Sequence, residues 1–121
     1  MLLAVPTYND RVAPTFDFCH RVSFWRVEGQ EARKIADRKC TADSIGEKAA
    51  RLQAMGTELL LCGAVSSALL QNLNARGIKV LSGLAGDVAE VVSAFASDSL
   101  DNARFQLPGA DSKPIRIGGG P

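Results

Sequence analysis

From residue 44 onward the chain alternates helical patterns with short apolar runs, and few folds accept that order. Ser44-Ile45-Gly46-Glu47 fits a capping box, in which the cap hydroxyl and the Glu three residues on satisfy free N–H groups of the first turn. Ile45, Ala49, Leu52 and Met55 then recur at helical spacing until Gly56. Residues 58–62 form an apolar strand ended by Gly63. Ser66 or Ser67 caps a second helix, which carries Leu69, Leu70 and Leu73 and stops at Gly77. Residues 78–81 read as a further strand and residues 83–86 as a tight loop. Residues 87–96 form a third helix with Val88, Val91, Val92 and Phe95 on one side. Strands separated by helices in this way pair in parallel through right-handed crossovers.

The earlier part of the chain obeys a different pattern. Residues 2–5 are a short apolar strand stopped by Pro6, and residues 7–15 read as a polar loop with a second proline. Residues 21–27 alternate, with Val22, Phe24, Trp25 and Val27 as inward candidates. Glu28-Gly29-Gln30 is a turn, and residues 31–38 form a more polar strand whose charges suit an exposed edge. The order β-β-β-α-β-α-β-α predicts an α/β fold: one mixed five-stranded sheet with helices on both faces. Its strand order is 3-2-1-4-5, an antiparallel meander followed by parallel βα units, which is the ribonuclease-H-like arrangement. A flavodoxin-like sheet fits less well, because no helical pattern precedes residue 41. After residue 107 the composition shifts to Pro108-Gly109-Ala110-Asp111-Ser112-Lys113-Pro114 and ends in Gly118-Gly119-Gly120-Pro121. The expected organisation is one domain over residues 1–107 and a flexible Pro/Gly-rich tail over 108–121.

Charge and cysteine count narrow the function. Fourteen Lys and Arg oppose thirteen Asp and Glu, a net charge of +1. Nucleic-acid binding through the phosphate backbone calls for a basic surplus, so no nucleic-acid partner is expected. No apolar run approaches the ~20 residues of a membrane helix, and Met1-Leu2-Leu3-Ala4-Val5-Pro6 lacks the basic start of a signal peptide. Three cysteines in 121 residues do not form a disulfide framework. Free thiols in a cytoplasmic, reducing compartment are the expectation.

Topology then groups the scarce reactive side chains. With the first strand running upward, Cys19 and the single histidine, His20, precede the second strand at its top. Cys40 follows the third strand and Cys62 ends the fourth, so all four map to one rim. That rim is the carboxyl edge of the parallel strands, where open α/β sheets bind ligands. Arg11, Arg21, Arg38 and Lys39 lie near it and suit an anionic ligand, as do backbone N–H groups after Gly63 and Gly86 at helix starts. Each residue also has a plainer reading: Cys62 as a core residue, Cys40 as a surface thiol, the basic residues as solvated surface. Arg38-Lys39 would favour a Cys40 thiolate, which keeps thiol sensing open, although no C-x-x-C motif is present.

A closed zinc cage does not fit. Loops over the third and fourth strands of this order start ~14 Å apart, against metal–sulfur bonds of ~2.3 Å. A larger, loosely held metal–sulfur ligand with one or two protein ligands fits better, and the adjacent Cys19-His20 pair is the favoured candidate. Metal-dependent nuclease chemistry is excluded, because the first strand has no Asp or Glu and Glu58 lies at the wrong end of the fourth. No P-loop and no G-x-G-x-x-G occur.

The ordered set Leu3-Ala4-Val5-Pro6, Arg11-Val12-Ala13-Pro14-Thr15-Phe16-Asp17, Leu60-Leu61-Cys62-Gly63 and Gly77-Ile78-Lys79-Val80 resembles the NifX-type dinitrogenase iron–molybdenum cofactor biosynthesis family over residues 1 to about 105. The resemblance implies a ribonuclease-H-like fold without nuclease activity. It implies non-catalytic binding, carriage or chaperoning of an Fe–S or Fe–Mo–S cluster or its precursor, held transiently; related small orange proteins carry a molybdenum–copper sulfide cluster. It implies cluster donor and acceptor proteins as partners. In this family a histidine or cysteine on the loop before the second strand is implicated in cluster binding, which here carries over to Cys19 and His20. Cys62 would lie below the cluster, with Arg11, Arg21 and Gly63 as further cofactor-binding candidates. Many relatives have Phe-Gly where this chain has Phe16-Asp17, which adds a carboxylate beside the site. The alternative expectation is an interaction module for cluster-assembly factors with no cluster of its own.

Overall fold

Leu2 to Pro6 are all buried, and that run seeds the centre of a sheet in the computed structural model, which describes residues 1–40 and 44–97. The elements are β1 (Leu2–Tyr8), β2 (Arg11–Val12), β3 (Arg21–Glu28), β4 (Glu31–Lys39), α1 (Ile45–Ala54), β5 (Leu59–Leu61), α2 (Ser67–Ala75), β6 (Lys79–Leu81) and α3 (Val88–Ala96). The sheet runs β4-β3-β1-β5-β6, with β2 paired to β1 off this path. β1 is antiparallel to β3, and β3 to β4, whereas β5 is parallel to both β1 and β6. The architecture is therefore mixed α/β with a sheet of six strands, one more than the sequence pattern predicts.

The extra strand comes from the start of the chain. Pro6 does not stop β1, which continues to Tyr8. Pro6 O accepts from Ala13 N, so the ring nitrogen faces that same side, above the level where β5 last pairs with β1 at Ala4. No ladder N–H is needed there, and the proline is tolerated. Asn9 and Asp10 then take φ of 50° and 63°, turning the chain tightly into Arg11–Val12. Both residues tolerate the left-handed region that such a hairpin turn requires. The expected polar loop over 7–15 is thus a hairpin followed by a segment pinned against β5.

Strand alternation divides the core into two layers. Leu2, Ala4, Val22, Phe24, Leu60 and Cys62 pack with Ala49, Leu52, Leu69 and Leu73 of α1 and α2. Leu3, Val5, Val27, Leu59 and Leu61 pack with Val88, Val91 and Val92 of α3, and Trp25 joins them half-buried. Val22 and Phe24 therefore point to one face and Trp25 and Val27 to the other. Among the described residues some 28 apolar side chains are buried in these two layers, which stabilises the sheet far more than propensity does.

The helix starts follow their caps. Ser44 accepts from Glu47 N at 3.1 Å, Ser66 from Leu69 N at 3.2 Å and Asp87 from Glu90 N at 3.1 Å. Gly56 and Gly77, with φ of 85° and 80°, end α1 and α2. Met55, expected on the apolar stripe of α1, is 38% exposed, because the helix has ended by then. The expected tail over 108–121 lies outside the described residues.

Candidate functional site

Residues 13–19 are held at the top of the sheet by backbone pairing on one side and by a buried cation on the other. Ala64 N donates to Pro14 O at 2.8 Å and Phe16 N to Ala64 O at 2.9 Å, so this segment pairs with the chain leaving β5. Gly63 lies directly beneath it. A Cβ there would stand 2.6 Å from Ala13 O and 2.7 Å from Pro14 O, so only glycine permits the close approach. Phe16 is fully buried, and the chain turns at 16–19 with Cys19 N donating to Phe16 O at 3.2 Å.

Lys48 of α1 fixes that turn. It stands on the apolar stripe formed by Ile45, Ala49 and Leu52, and only 6% of it is exposed. Its Nζ donates to Phe16 O at 2.8 Å and to Asp17 O at 2.6 Å, and lies 5.2 Å from the centre of the Phe16 ring. A buried ammonium needs such partners to offset its lost hydration. The sequence carries a signal for this, a lysine at i+3 from one apolar-stripe residue and i−4 from another, which composition and motif reading pass over.

Asp17 closes the arrangement from α2. Its Oδ1 accepts from Ser66 N at 2.8 Å and its Oδ2 from Ser66 Oγ at 2.6 Å, at the positive end of the helix. The extra carboxylate is therefore engaged as part of the α2 cap. Expected anion-binding N–H groups are engaged as well: Ala64 N by Pro14 O, Ser66 N by Asp17, Leu84 N by Cys62 O and Val88 N by Asp10 O. These four N–H groups serve the fold.

With the turn fixed, Cys19, His20 and Arg21 line one cavity of about 540 Å³, together with Thr7, Tyr8, Pro14 and Phe18. Cys19 is 7% exposed, and its Sγ donates to Arg21 O at 2.9 Å. Burial pushes its thiol above the ordinary value; Cys40 adds to the shift and the Lys48 ammonium opposes it. His20 is exposed, and its carbonyl accepts from Cys40 N at 2.7 Å across the β3–β4 end. Two aromatic side chains frame the mouth, Phe18 at 79% and Tyr8 at 69% exposure. The volume falls in the ~300–1,000 Å³ range of small-ligand pockets.

The other expected residues do not join this cavity. Cys62 is at the predicted rim but on the inner face, fully buried among the α1 and α2 core, and burial, with the nearby Asp17 charge, pushes its thiol up to about 12. It acts as a small apolar residue. Gly63 forms the floor under Ala13 and Pro14. Arg11 is exposed on β2, outside the cavity lining. Cys40 is buried at 5%, not a surface thiol, because it turns into the same core layer as Cys19. Strand topology places the cysteines along the sheet; it does not say how deep each one lies. Among the described residues no three His, Cys, Asp or Glu side chains converge as a ready-made site for a metal ion. Among them, too, no helix is long and apolar enough to cross a membrane.

Comparison with known proteins follows from this geometry. A family model described as dinitrogenase iron-molybdenum cofactor matches residues 1–98. No curated protein matches the chain significantly. The crystal structure of the protein PH0822 superposes with a TM-score of 0.76 at 18% identity, covering 89% of this chain and 96% of that one. A candidate dinitrogenase from Methanocaldococcus jannaschii superposes with a TM-score of 0.67 at 13% identity, covering 100% and 97% of the two chains. A candidate NifB protein from Thermotoga does so with a TM-score of 0.61 at 19% identity, covering 93% and 97%. At these identities the solved structures share the fold.

Proposed function

The chain belongs to the dinitrogenase iron–molybdenum cofactor family, and from that premise we propose that it carries an Fe–S or Fe–Mo–S cluster, or a molybdenum-containing sulfide, as transient cargo between donor and acceptor proteins. The observation that carries this reading is the cavity in which Cys19, His20 and Arg21 meet. His20 offers an exposed imidazole, Cys19 a thiol one residue away, and Arg21 a cation against the negative charge of a sulfide cluster. A bare metal ion needs several convergent ligands within ~2.0–2.3 Å. A preassembled cluster brings its own sulfide ligands and needs only one or two from the protein. Ligation by Cys19 requires loss of a proton that burial retains, so its bond is the conditional one and His20 is the first contact. A weak, two-residue hold suits hand-over rather than permanent storage, and we read the protein as a carrier and not a catalyst.

The sheet order supports a ribonuclease-H-like reading of the fold. We assign the working domain to residues 1–107, with 108–121 as a tail. Three cysteines outside any disulfide support a reducing, cytoplasmic setting.

The test is anaerobic reconstitution with iron, sulfide and tetrathiomolybdate, read by visible absorption and metal content after desalting. Wild type is expected to emerge coloured. His20→Ala and Cys19→Ser are expected to lose most of the colour. A colourless wild type overturns carriage, and variants that retain full colour overturn the assignment to this cavity. A second reading, a docking module for assembly factors, draws on exposed Phe18 and Tyr8 at the same mouth. It requires metal-free wild type to bind such a factor, and Phe18→Ala to abolish that binding.

A further inference from the structure

A second cavity lies between the α1-facing side of β3–β4 and α1, at the β4 end that carries Cys40. Its volume is about 250 Å³. Val22, Phe24 and Leu52, each no more than 3% exposed, form an apolar floor, and Met55 forms one wall. Arg38 and Lys39 from β4 and Arg51 from α1 border it, and no Asp or Glu among the described residues does. Among the described residues Arg51 and Lys39 make no side-chain hydrogen bond or ion pair, and Arg38 reaches only Asp37 O, at 3.3 Å.

We propose that this cavity binds a small amphiphilic carboxylate, with its apolar chain over Phe24 and Leu52 and its carboxylate between Arg38 and Arg51. Arg38 and Arg51 come from different elements, so a carboxylate at the mouth is contacted from both sides, while burying the chain removes apolar surface from water. Guanidinium is suited to this, since it presents paired donors to a carboxylate and is weakly hydrated. An uncharged chain would lose the ionic contacts, and a cationic one would be repelled by three like charges. The proposal is independent of cluster carriage, because neither Cys19 nor His20 lines this cavity.

The experiment is an amide-resolved NMR titration of the full metal-free chain with decanoate, beside decanol and decyltrimethylammonium at equal concentrations. Decanoate is expected to give saturable shifts centred on Val22, Cys40, Leu52 and Met55. Decanol and decyltrimethylammonium are expected to bind at least tenfold more weakly. Arg38→Gln/Arg51→Gln, both exposed positions, is expected to weaken decanoate at least tenfold with the spectrum otherwise retained. Met55→Glu, which sets a carboxylate in the wall, is expected to do the same. Shifts centred elsewhere, absence of saturation, equal binding of decanol, or variants that bind like wild type each overturn the proposal.

Discussion

Replacing Lys48 by Met keeps the length of the side chain on α1 and removes the ammonium that bonds Phe16 O and Asp17 O. Hydrogen bonds from a charged donor contribute ~1.5–3 kcal/mol each. Only the bond to Phe16 O is fully buried; Asp17 O is partly solvated and can take up water. The contact with the Phe16 ring, at 5.2 Å, adds ~0.5–1 kcal/mol. Gross loss is therefore ~3–5 kcal/mol. Against it stands the hydration that a lysine gives up on burial and a methionine does not. The net expectation is a destabilisation of ~2–3 kcal/mol, within the ~5–15 kcal/mol that holds a domain of this size. The variant folds but melts roughly 10–20 °C lower, at ~4–8 °C per kcal/mol. Urea denaturation followed by Trp25 fluorescence gives the free-energy difference directly. Below the transition, the loosened 16–19 turn exposes Cys19, so iodoacetamide is expected to label it at least tenfold faster than in wild type. A change under ~0.5 kcal/mol, with Cys19 labelled at the wild-type rate, would refute the claim that Lys48 holds the turn.

Gly63→Ala forces a Cβ to within 2.6 Å of Ala13 O, so a loss of ~1–3 kcal/mol is expected by thermal melting, as for an overpacked core; unchanged stability would mean that the overlying segment moves freely. Cys62, raised from 9.0 to about 12 on folding, keeps its proton in the native state while the unfolded chain releases it above 9.0. Its contribution is complete below pH 9 and is lost as pH rises toward 12, at up to ~1.4 kcal/mol per pH unit. Denaturation curves for wild type and Cys62→Ala between pH 8 and 11 check this: the variant's stability should fall less steeply, and parallel slopes would contradict the burial argument.

Much of this fold was legible in local pattern. The cap at Ser44, a serine cap at 66 or 67, the stops at Gly56 and Gly77, and the alternation of β3 follow from backbone chemistry that acts within a few residues. So does the grouping of Cys19, His20, Cys40 and Cys62 at one end of the sheet, because strand direction fixes which end each residue reaches. Other features depended on neighbours distant in sequence. Pro6 reads as a stop, yet it continues a strand because β5 has ceased pairing at that height. Asn9-Asp10 reads as loop, yet makes a tight turn because Val12 N finds Gly86 O and Ala13 N finds Pro6 O.

The sequence by itself determined the α/β alternation, the direction of the five strands it marks and the height of every cysteine along the sheet, since these follow from periodicity and chain order. Tertiary structure alone decided depth. It buried Cys62 and Cys40 and set Cys19 and His20 at a cavity, and it turned Lys48 inward and engaged Asp17 at Ser66. The physical reason is that burial and charge pairing are set by what packs against a side chain from 30 to 50 residues away, and no local pattern encodes that neighbour.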